Sequence, residues 1–319
     1  MLNPQRLSIV IPAFNEEDSL EAVVIRIRDV MREADIEHEI VVVDDGSTDA
    51  TSRIAQGLGV TLVSHPENLG YGRSLKDGIR ASTNELIAIT DADGSYPVER
   101  IPELVMKAAD FDMVVGARQG SVYHGTLTKR LARIVFRRLS EFAAGRTIAD
   151  INSGLRVFRK TQVTRFFAAI SSGFSFTTTV TLVYMLNGLY VHYEPISYEK
   201  RQGSSNVRYF RDTLRSLQII VEAILRYNPI KVFLLLSLPF WVFTVAACAT
   251  FAFRQDVNSL FIAGCSLFAA MTLLAHGFLA VLLADQLPSH EAVVVSDIRG
   301  NCGEPVNDDQ HAMPDVLSK

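Results

Sequence analysis

Along the first part of the chain, short continuous apolar runs alternate with segments whose apolar residues recur every three or four positions. The runs at 7–11, 39–43, 60–63, 86–89 and 113–116 have the length and composition of strands buried on both faces. Between them the pattern predicts a helix after Pro12 with Glu16, Glu17 and Asp18 in its first turn, a second from about Ala50 to Leu58, a third from the 68–72 loop to about Ser82, and a fourth after Pro97. This alternation predicts an α/β fold with a mostly parallel sheet, whose strand ends at Pro12, Asp44 and Asp91 open on one crevice.

Farther on, the periodicity changes character. Segments 232–253 and 260–284 carry no charged residue if His276 is neutral, and each meets the ~20-residue requirement for a helix crossing a bilayer. Pro239 is tolerated in such a helix, and His276 is expected to bond the neighbouring helix. Ahead of them, Leu214, Leu217, Ile220 and Ile224 recur at helical spacing beside Arg211, Arg215 and Arg226, which predicts an amphipathic helix at the membrane surface. The expected organisation is an α/β domain at 1–206, a juxtamembrane region at 207–229, a two-helix membrane domain at 230–284 and a flexible acidic tail at 285–319.

The hydrophobic share of 48% over 319 residues is high for a soluble chain, and the two membrane segments account for the excess. No basic region followed by a long apolar stretch opens the chain, so the first domain is expected to stay in the cytoplasm. Arg208, Arg211, Arg215, Arg226 and Lys231 precede the first crossing and place that side in the cytoplasm, to which two crossings return the tail. Three cysteines exclude a disulfide framework, and a formal net charge of -4 gives no basic field for a nucleic acid.

The candidate chemistry begins in Glu85–Tyr96, ELIAITDADGSY, where an apolar strand stops at Asp91, Ala92, Asp93 and Gly94. Two carboxylates one residue apart offer hard oxygen ligands to Mg²⁺ or Mn²⁺, with positions left for water and a diphosphate. Asp and Gly also form plain solvated turns. The loop Asn68-Leu69-Gly70-Tyr71-Gly72 lacks Gly-x-Gly-x-x-Gly spacing, which excludes a dinucleotide fingerprint and with it hydride transfer. Residues 180–189, after Phe174-Ser175-Phe176 and three threonines, read as a core helix.

SIVIPAFNEE, VVVDDGSTD, NLGYG and ITDADG, in that order, resemble the nucleotide-sugar domain of family 2 glycosyltransferases, a GT-A, Rossmann-like fold. Asp150-Ile151-Asn152-Ser153-Gly154-Leu155-Arg156 and Arg201-Gln202-Gly203-Ser204-Ser205 are similar to motifs of the polyprenyl-phosphate branch, which includes dolichol-phosphate mannose synthases and bacterial undecaprenyl-phosphate glycosyltransferases. The resemblance covers about Ser8 to Asn206 and implies inverting transfer of a hexose from a UDP- or GDP-sugar to a polyprenyl phosphate. A bilayer, the inner or plasma membrane of a bacterium, and a homo-oligomer are the partners and setting it implies.

By that resemblance Pro12, Ala13, Asn15, Glu16, Asp44, Asp91, Ala92 and Asp93 hold the nucleotide sugar, and Asp91 and Asp93 hold Mg²⁺ or Mn²⁺. Arg118 and Arg130 bind acceptor phosphate, Arg201 binds donor diphosphate, and Asp150 steers the acceptor or acts as a base. Asp45, Ser47 and Asp49 read instead as turn formers, with Asp45 capping the helix that follows. Ser95 stands where mannose synthases commonly have Gln, which leaves a third protein ligand unassigned. A glycan or glycolipid synthase with a hydroxyl acceptor, for which a base at Asp150 is indispensable, and a non-catalytic nucleotide-sugar-binding scaffold are the competing readings.

Overall fold

Strand β1 (Leu7–Ala13) is flanked in parallel by β2 (His38–Asp44) and β4 (Leu86–Ile89), with β3 (Thr61–Ser64) outside β2. A computed structural model describes residues 6–119, 127–173, 175–198, 218, 221, 225 and 228–286; for 127–133, 135 and 284–286 it describes the backbone alone. Beyond β4, strand β6 (Arg156–Arg159) runs antiparallel between β4 and β5 (Met113–Gln119), and β7 (Val191–Ser197) pairs in parallel with β5. Among the described residues the sheet order is therefore β3-β2-β1-β4-β6-β5-β7.

Both faces of this sheet are covered at its middle, which is why the runs in β1, β2 and β4 are largely continuous rather than apolar at every second position. Ile9, Ile11, Val42 and Ala88 face α1 (Leu20–Glu33) and α4 (Ile101–Lys107), meeting Leu20, Val24, Ile27, Ile101 and Leu104. Their neighbours Val10, Val41, Val43 and Ile87 face the other way, onto Leu75 and Ile79 of α3 (Tyr71–Ala81) and Phe176 and Val180 of α7 (Phe176–Leu186). Helix α2 (Thr51–Gly57) connects β2 to β3, α5 (Leu127–Ala144) follows β5, and α6 (Lys160–Arg165) follows β6. The core helix expected at 180–189 runs instead from Phe176 to Leu186 and is buried almost throughout.

Several details depart from the sequence pattern, the unpredicted strand β7 among them. Strand β6 escapes it because Arg156 and Arg159 bound the run, yet Arg156 is fully buried and bonded inside the protein. Strand β1 continues through Pro12 because β4 ends opposite Val10, so the proline lies where β1 has a neighbour on one side only. Glu16, Glu17 and Asp18 precede α1 instead of forming its first turn. The amides of Glu16 and Glu17 are taken by Thr51 Oγ1 and Asp49 Oδ2 at 2.9 and 3.3 Å, so they are not orphan donors of a helix.

After β7 come two long helices, α8 (Pro229–Arg254) and α9 (Val257–Gln286), each long and apolar enough to cross a membrane. Their outward side chains include Phe243, Phe253, Phe261 and Phe268, all more than 60% exposed, an apolar surface suited to lipid rather than to water. A left-handed Gln255 ends the first helix, and Asp256 opens the second by accepting from the Ser259 amide at 2.8 Å. His276 bonds Thr272 O of its own helix at 2.7 Å, not the neighbouring helix, because a carbonyl four residues back lies within reach of Nδ1. The expected amphipathic helix, apart from residues 218, 221 and 225, and the tail beyond 286 lie outside the described residues.

The base of α8 is fastened to α5. Lys231 Nζ donates to Phe142 O at 3.0 Å, one of the carbonyls left over at the C-terminus of α5. Val232 packs on a cluster of Ala143, Ile148, Ile151, Leu182 and Met185, which leads directly to Asp150.

Candidate active site

Because β1, β2 and β4 are parallel, their carboxyl ends deliver three loops to one edge of the sheet. The first two loops are stitched together. Asn15, in the left-handed region at φ 55°, accepts from the Thr48 amide at 2.8 Å, and its own amide donates to Ser47 Oγ at 3.0 Å. The Ala50 amide donates to Glu17 Oε2 at 2.9 Å, and Asp44 Oδ1 accepts from the Ser47 amide at 3.1 Å. Pro12, Ala13, Asn15, Glu16 and Asp44 therefore share one rigid rim. Asp49 performs the turn-forming role expected of it, accepting from the Thr51 amide at 2.9 Å.

Asp45 does not cap α2. Its carboxylate accepts from the Leu69 and Gly70 amides, both at 2.9 Å, and from His65 Nδ1 at 2.7 Å. It thus ties the end of β2 to the loop that opens α3. This places Tyr71, the first residue of α3, over the third loop.

In that loop Asp91 Oδ1 accepts from the Tyr71 hydroxyl at 3.0 Å. Burial, reinforced by the Asp91 charge, holds the Tyr71 phenol well above its ordinary pKa of 10.0, so it remains a donor. Asp93 is buried, and its Oδ1 accepts from the amide and hydroxyl of Ser95 at 3.0 and 2.6 Å. Ala92 between them is buried. Ser95 is thus committed to orienting Asp93.

Gly154 sets the spacing on the opposite wall. A Cβ there would lie 3.0 and 3.1 Å from the two Asp91 oxygens and 3.2 Å from the Tyr71 hydroxyl, so only glycine lets this wall approach so closely. Its amide donates to the Tyr96 hydroxyl at 2.6 Å.

Across that wall stands Asp150, whose carboxylate oxygens receive four N–H donors. Arg118 supplies Nε at 2.7 Å, Nη2 at 3.0 Å and its amide at 3.2 Å, and the Asn152 amide adds a fourth at 3.1 Å. The guanidinium also lies 5.3 Å from the Tyr198 ring centre, and Tyr198 meets Tyr96 edge to face at 5.3 Å. Arg118 therefore enters the site as half of an ion pair. Asp150 has the bonding of an orienting group, and the turn it supports is closed at the Asn152 amide rather than at Ser153 or Gly154.

The donor chemistry at Asp91 and Asp93 fits a hard divalent cation. Mg²⁺ in phosphate-transfer sites takes one or two carboxylates and completes its shell with water and substrate oxygens. Among the described residues no third His, Cys, Asp or Glu joins them. Arg130 lies in α5 where only the backbone is described, and Arg201 and Phe174 lie outside the described residues. The sequence pattern assigned no role to Tyr71, Tyr96, Tyr198 or Arg156; the first two and Arg156 sit inside motifs quoted for other residues, and Tyr198 carries no signal of its own.

The model of the family described as "Glycosyl transferase family 2" matches residues 8–177, more than half of the chain and all the strands described above except β7 and the first residue of β1. The chain belongs to glycosyl transferase family 2. Among this glycosyltransferase's curated relatives, it is 28% identical over 221 residues to the low-salt glycan biosynthesis hexosyltransferase Agl6 of Haloferax volcanii, covering 67% of this chain and 53% of that one. It is 32% identical over 166 residues to the undecaprenyl-phosphate 4-deoxy-4-formamido-L-arabinose transferase of Klebsiella pneumoniae, 49% of each chain. To the dolichyl-phosphate hexose transferase of Haloferax volcanii it is 29% identical over 206 residues, covering 63% of this chain and 86% of that one. The glycosyltransferase spans about half the length of the first two.

Among solved structures, glucosyl-3-phosphoglycerate synthase from Mycobacterium tuberculosis in complex with Mn²⁺, uridine diphosphate and glucosyl-3-phosphoglycerate superposes with a TM-score of 0.56 at 20% identity, over 69% of this chain and 80% of that one. At that identity the likeness establishes the shared GT-A fold. The expected α/β class with a mostly parallel sheet is therefore borne out.

Proposed function

We propose that this chain transfers a hexose from a UDP- or GDP-linked sugar to a polyprenyl phosphate, with inversion at the sugar carbon, at the cytoplasmic face of a membrane. The observation that carries the reading is the placement of two sites against one wall. Asp91 and Asp93 lie in the loop that follows β4, the Arg118–Asp150 fork joins the end of β5, and the segment from Asp150 to Gly154 lies between them on a domain fastened to two membrane-length helices. Relatives named for transfer to undecaprenyl and dolichyl phosphate favour a lipid phosphate over a hydroxyl acceptor.

In this reading Asp91 and Asp93 hold Mg²⁺ or Mn²⁺, and Tyr71 and Ser95 fix the orientation of the two carboxylates. The bound ion neutralises charge on the departing diphosphate as a Lewis acid. The rim of Pro12, Ala13, Asn15, Glu16 and Asp44 seats the nucleoside, where the Asp44 carboxylate can accept from a base or ribose donor. Ala92 lines the same loop. Arg201 steadies the diphosphate, and Arg130 with the Arg118–Asp150 fork orients the acceptor phosphate, since guanidinium forks match phosphate oxygens.

A lipid phosphate attacks as an oxygen that is already an anion, so the site has to position it more than deprotonate it. That requirement agrees with an Asp150 already engaged by four N–H donors. The basic residues ahead of Lys231 and the fastening of Lys231 to α5 support a catalytic domain held at the headgroup plane.

The test is a thermal-shift screen of UDP- and GDP-sugars, followed by incubation of the best labelled donor with a polyprenyl phosphate and Mn²⁺. A lipid-extractable labelled product is expected, and it should be absent for Asp93→Ala. A stabilising donor that yields labelled product only on a hydroxyl-bearing lipid or glycan would replace this reading with the hydroxyl-acceptor one.

A further inference from the structure

Among the described residues Arg156 is the largest fully buried side chain, and none of the groups bonded to it carries a charge. Its Nε donates to Ser153 O, its Nη2 to Ile151 O and its Nη1 to Thr181 Oγ1, each at 2.7 Å, while Nη1 also lies 3.6 Å from Met113 Sδ. Burying a guanidinium whose bonded partners are all neutral is costly, and an apolar side chain of similar volume would fill the space at less expense. The residue is explained by what it holds. Two of its bonds go to carbonyls of the segment between Asp150 and Gly154, and the third reaches across to α7.

With those carbonyls drawn inward, the amides of the same segment serve the site. The Asn152 amide donates to Asp150 at 3.1 Å and the Gly154 amide to Tyr96 at 2.6 Å, while Ser153 Oγ donates to Gly116 O at 2.5 Å. One end of the segment carries the carboxylate that grips Arg118, and the other end presses against Asp91. We infer that Arg156 is a positioning residue, whose planar guanidinium fixes the 150–154 segment and thereby the separation between the Asp91 and Asp93 carboxylates and the Arg118–Asp150 fork. A lysine cannot reproduce this, because its ammonium is a single point and the acceptors lie in different directions on two elements.

The inference rests on the proposed function for its kinetic readout but not for its structural one. Amide hydrogen exchange by mass spectrometry, on the full chain in detergent, compares the wild type with Arg156→Lys. Exchange over 150–154 should accelerate at least about 10-fold, with β1 and β2 unchanged. The Kd for the nucleotide should stay at the wild-type value while kcat for transfer falls about 10- to 100-fold, a split that general loss of structure would not produce. Wild-type exchange in the segment, acceleration spread over β1 and β2, or an unchanged kcat would overturn the inference.

If Arg156→Lys does not fold, Thr181→Val withdraws one acceptor and keeps the charge. Faster exchange confined to 150–154 with a reduced kcat is expected, and wild-type values for both would overturn the inference. A wild-type chain with a protected segment but no transfer to polyprenyl phosphate would defeat the proposed function, while the exchange comparison would still decide the role of Arg156.

Discussion

Arg118 grips Asp150 with Nε and Nη2 at 2.7 and 3.0 Å, joining residues 32 positions apart in the chain. Their side chains are only 14% and 2% exposed, so removing either one strands a buried charge. Each of Arg118→Ala and Asp150→Ala should cost about 3–5 kcal/mol, and the double variant should cost less than the sum. A double-mutant cycle by denaturant unfolding measures this; strict additivity would mean that the two side chains act independently.

The contact between Asp91 and the opposite wall makes two sharper predictions. Tyr71→Phe keeps the ring and removes the donor to Asp91, and should weaken Mn²⁺-dependent nucleotide binding about 10-fold. Gly154→Ala drives a methyl to within 3.0 Å of the same carboxylate and should weaken it more, with the strands of the core unaffected. Calorimetry of nucleotide binding at several Mn²⁺ concentrations separates both from wild type, and equal affinity in Gly154→Ala would remove Asp91 from the metal site.

Glu39 gives a prediction about pH. Burial alone would raise its carboxyl, but hydrogen bonds from the Ser8 hydroxyl and from the amide and hydroxyl of Thr83 outweigh it and hold the pKa below the ordinary 4.5. A carboxyl depressed on folding contributes fully above its unfolded value and loses that contribution as pH falls through the folded one. Glu39→Gln should therefore lower the Tm near neutral pH, with the gap to wild type closing below pH 4.5. A gap that widened on acidification would reverse the assignment.

Lys231 joins the two long apolar helices to α5 through Phe142 O. Lys231→Met should cost about 0.5–1.5 kcal/mol of stability in detergent and leave the nucleotide Kd unchanged. Lost nucleotide binding would mean that the joint reaches farther into the site than its contacts show.

Much of this arrangement was legible because parallel strands buried on both faces write themselves as continuous apolar runs, and their ends at Ala13, Asp44 and Ile89 announce where loops converge. The acidic pair at Asp91 and Asp93 was legible for the same reason. Strand β6 was not, because a buried arginine at its start reads as an exposed one until its acceptors are known. Nor was the reach of Asp45, whose carboxylate is expected to bond locally and instead crosses to Leu69 and Gly70. The Arg118–Asp150 fork depends on β5 meeting a distant loop, which no local pattern encodes.

The most direct measurement is transfer of labelled sugar to polyprenyl phosphate across a titration of Mn²⁺, with wild type and Asp93→Ala side by side. Wild-type product should appear with the ion and vanish on chelation, and Asp93→Ala should lose at least about 100-fold in kcat at saturating Mn²⁺. Equal product formation in the chelator, or a full Mn²⁺ response in Asp93→Ala, would contradict a cation held by Asp91 and Asp93.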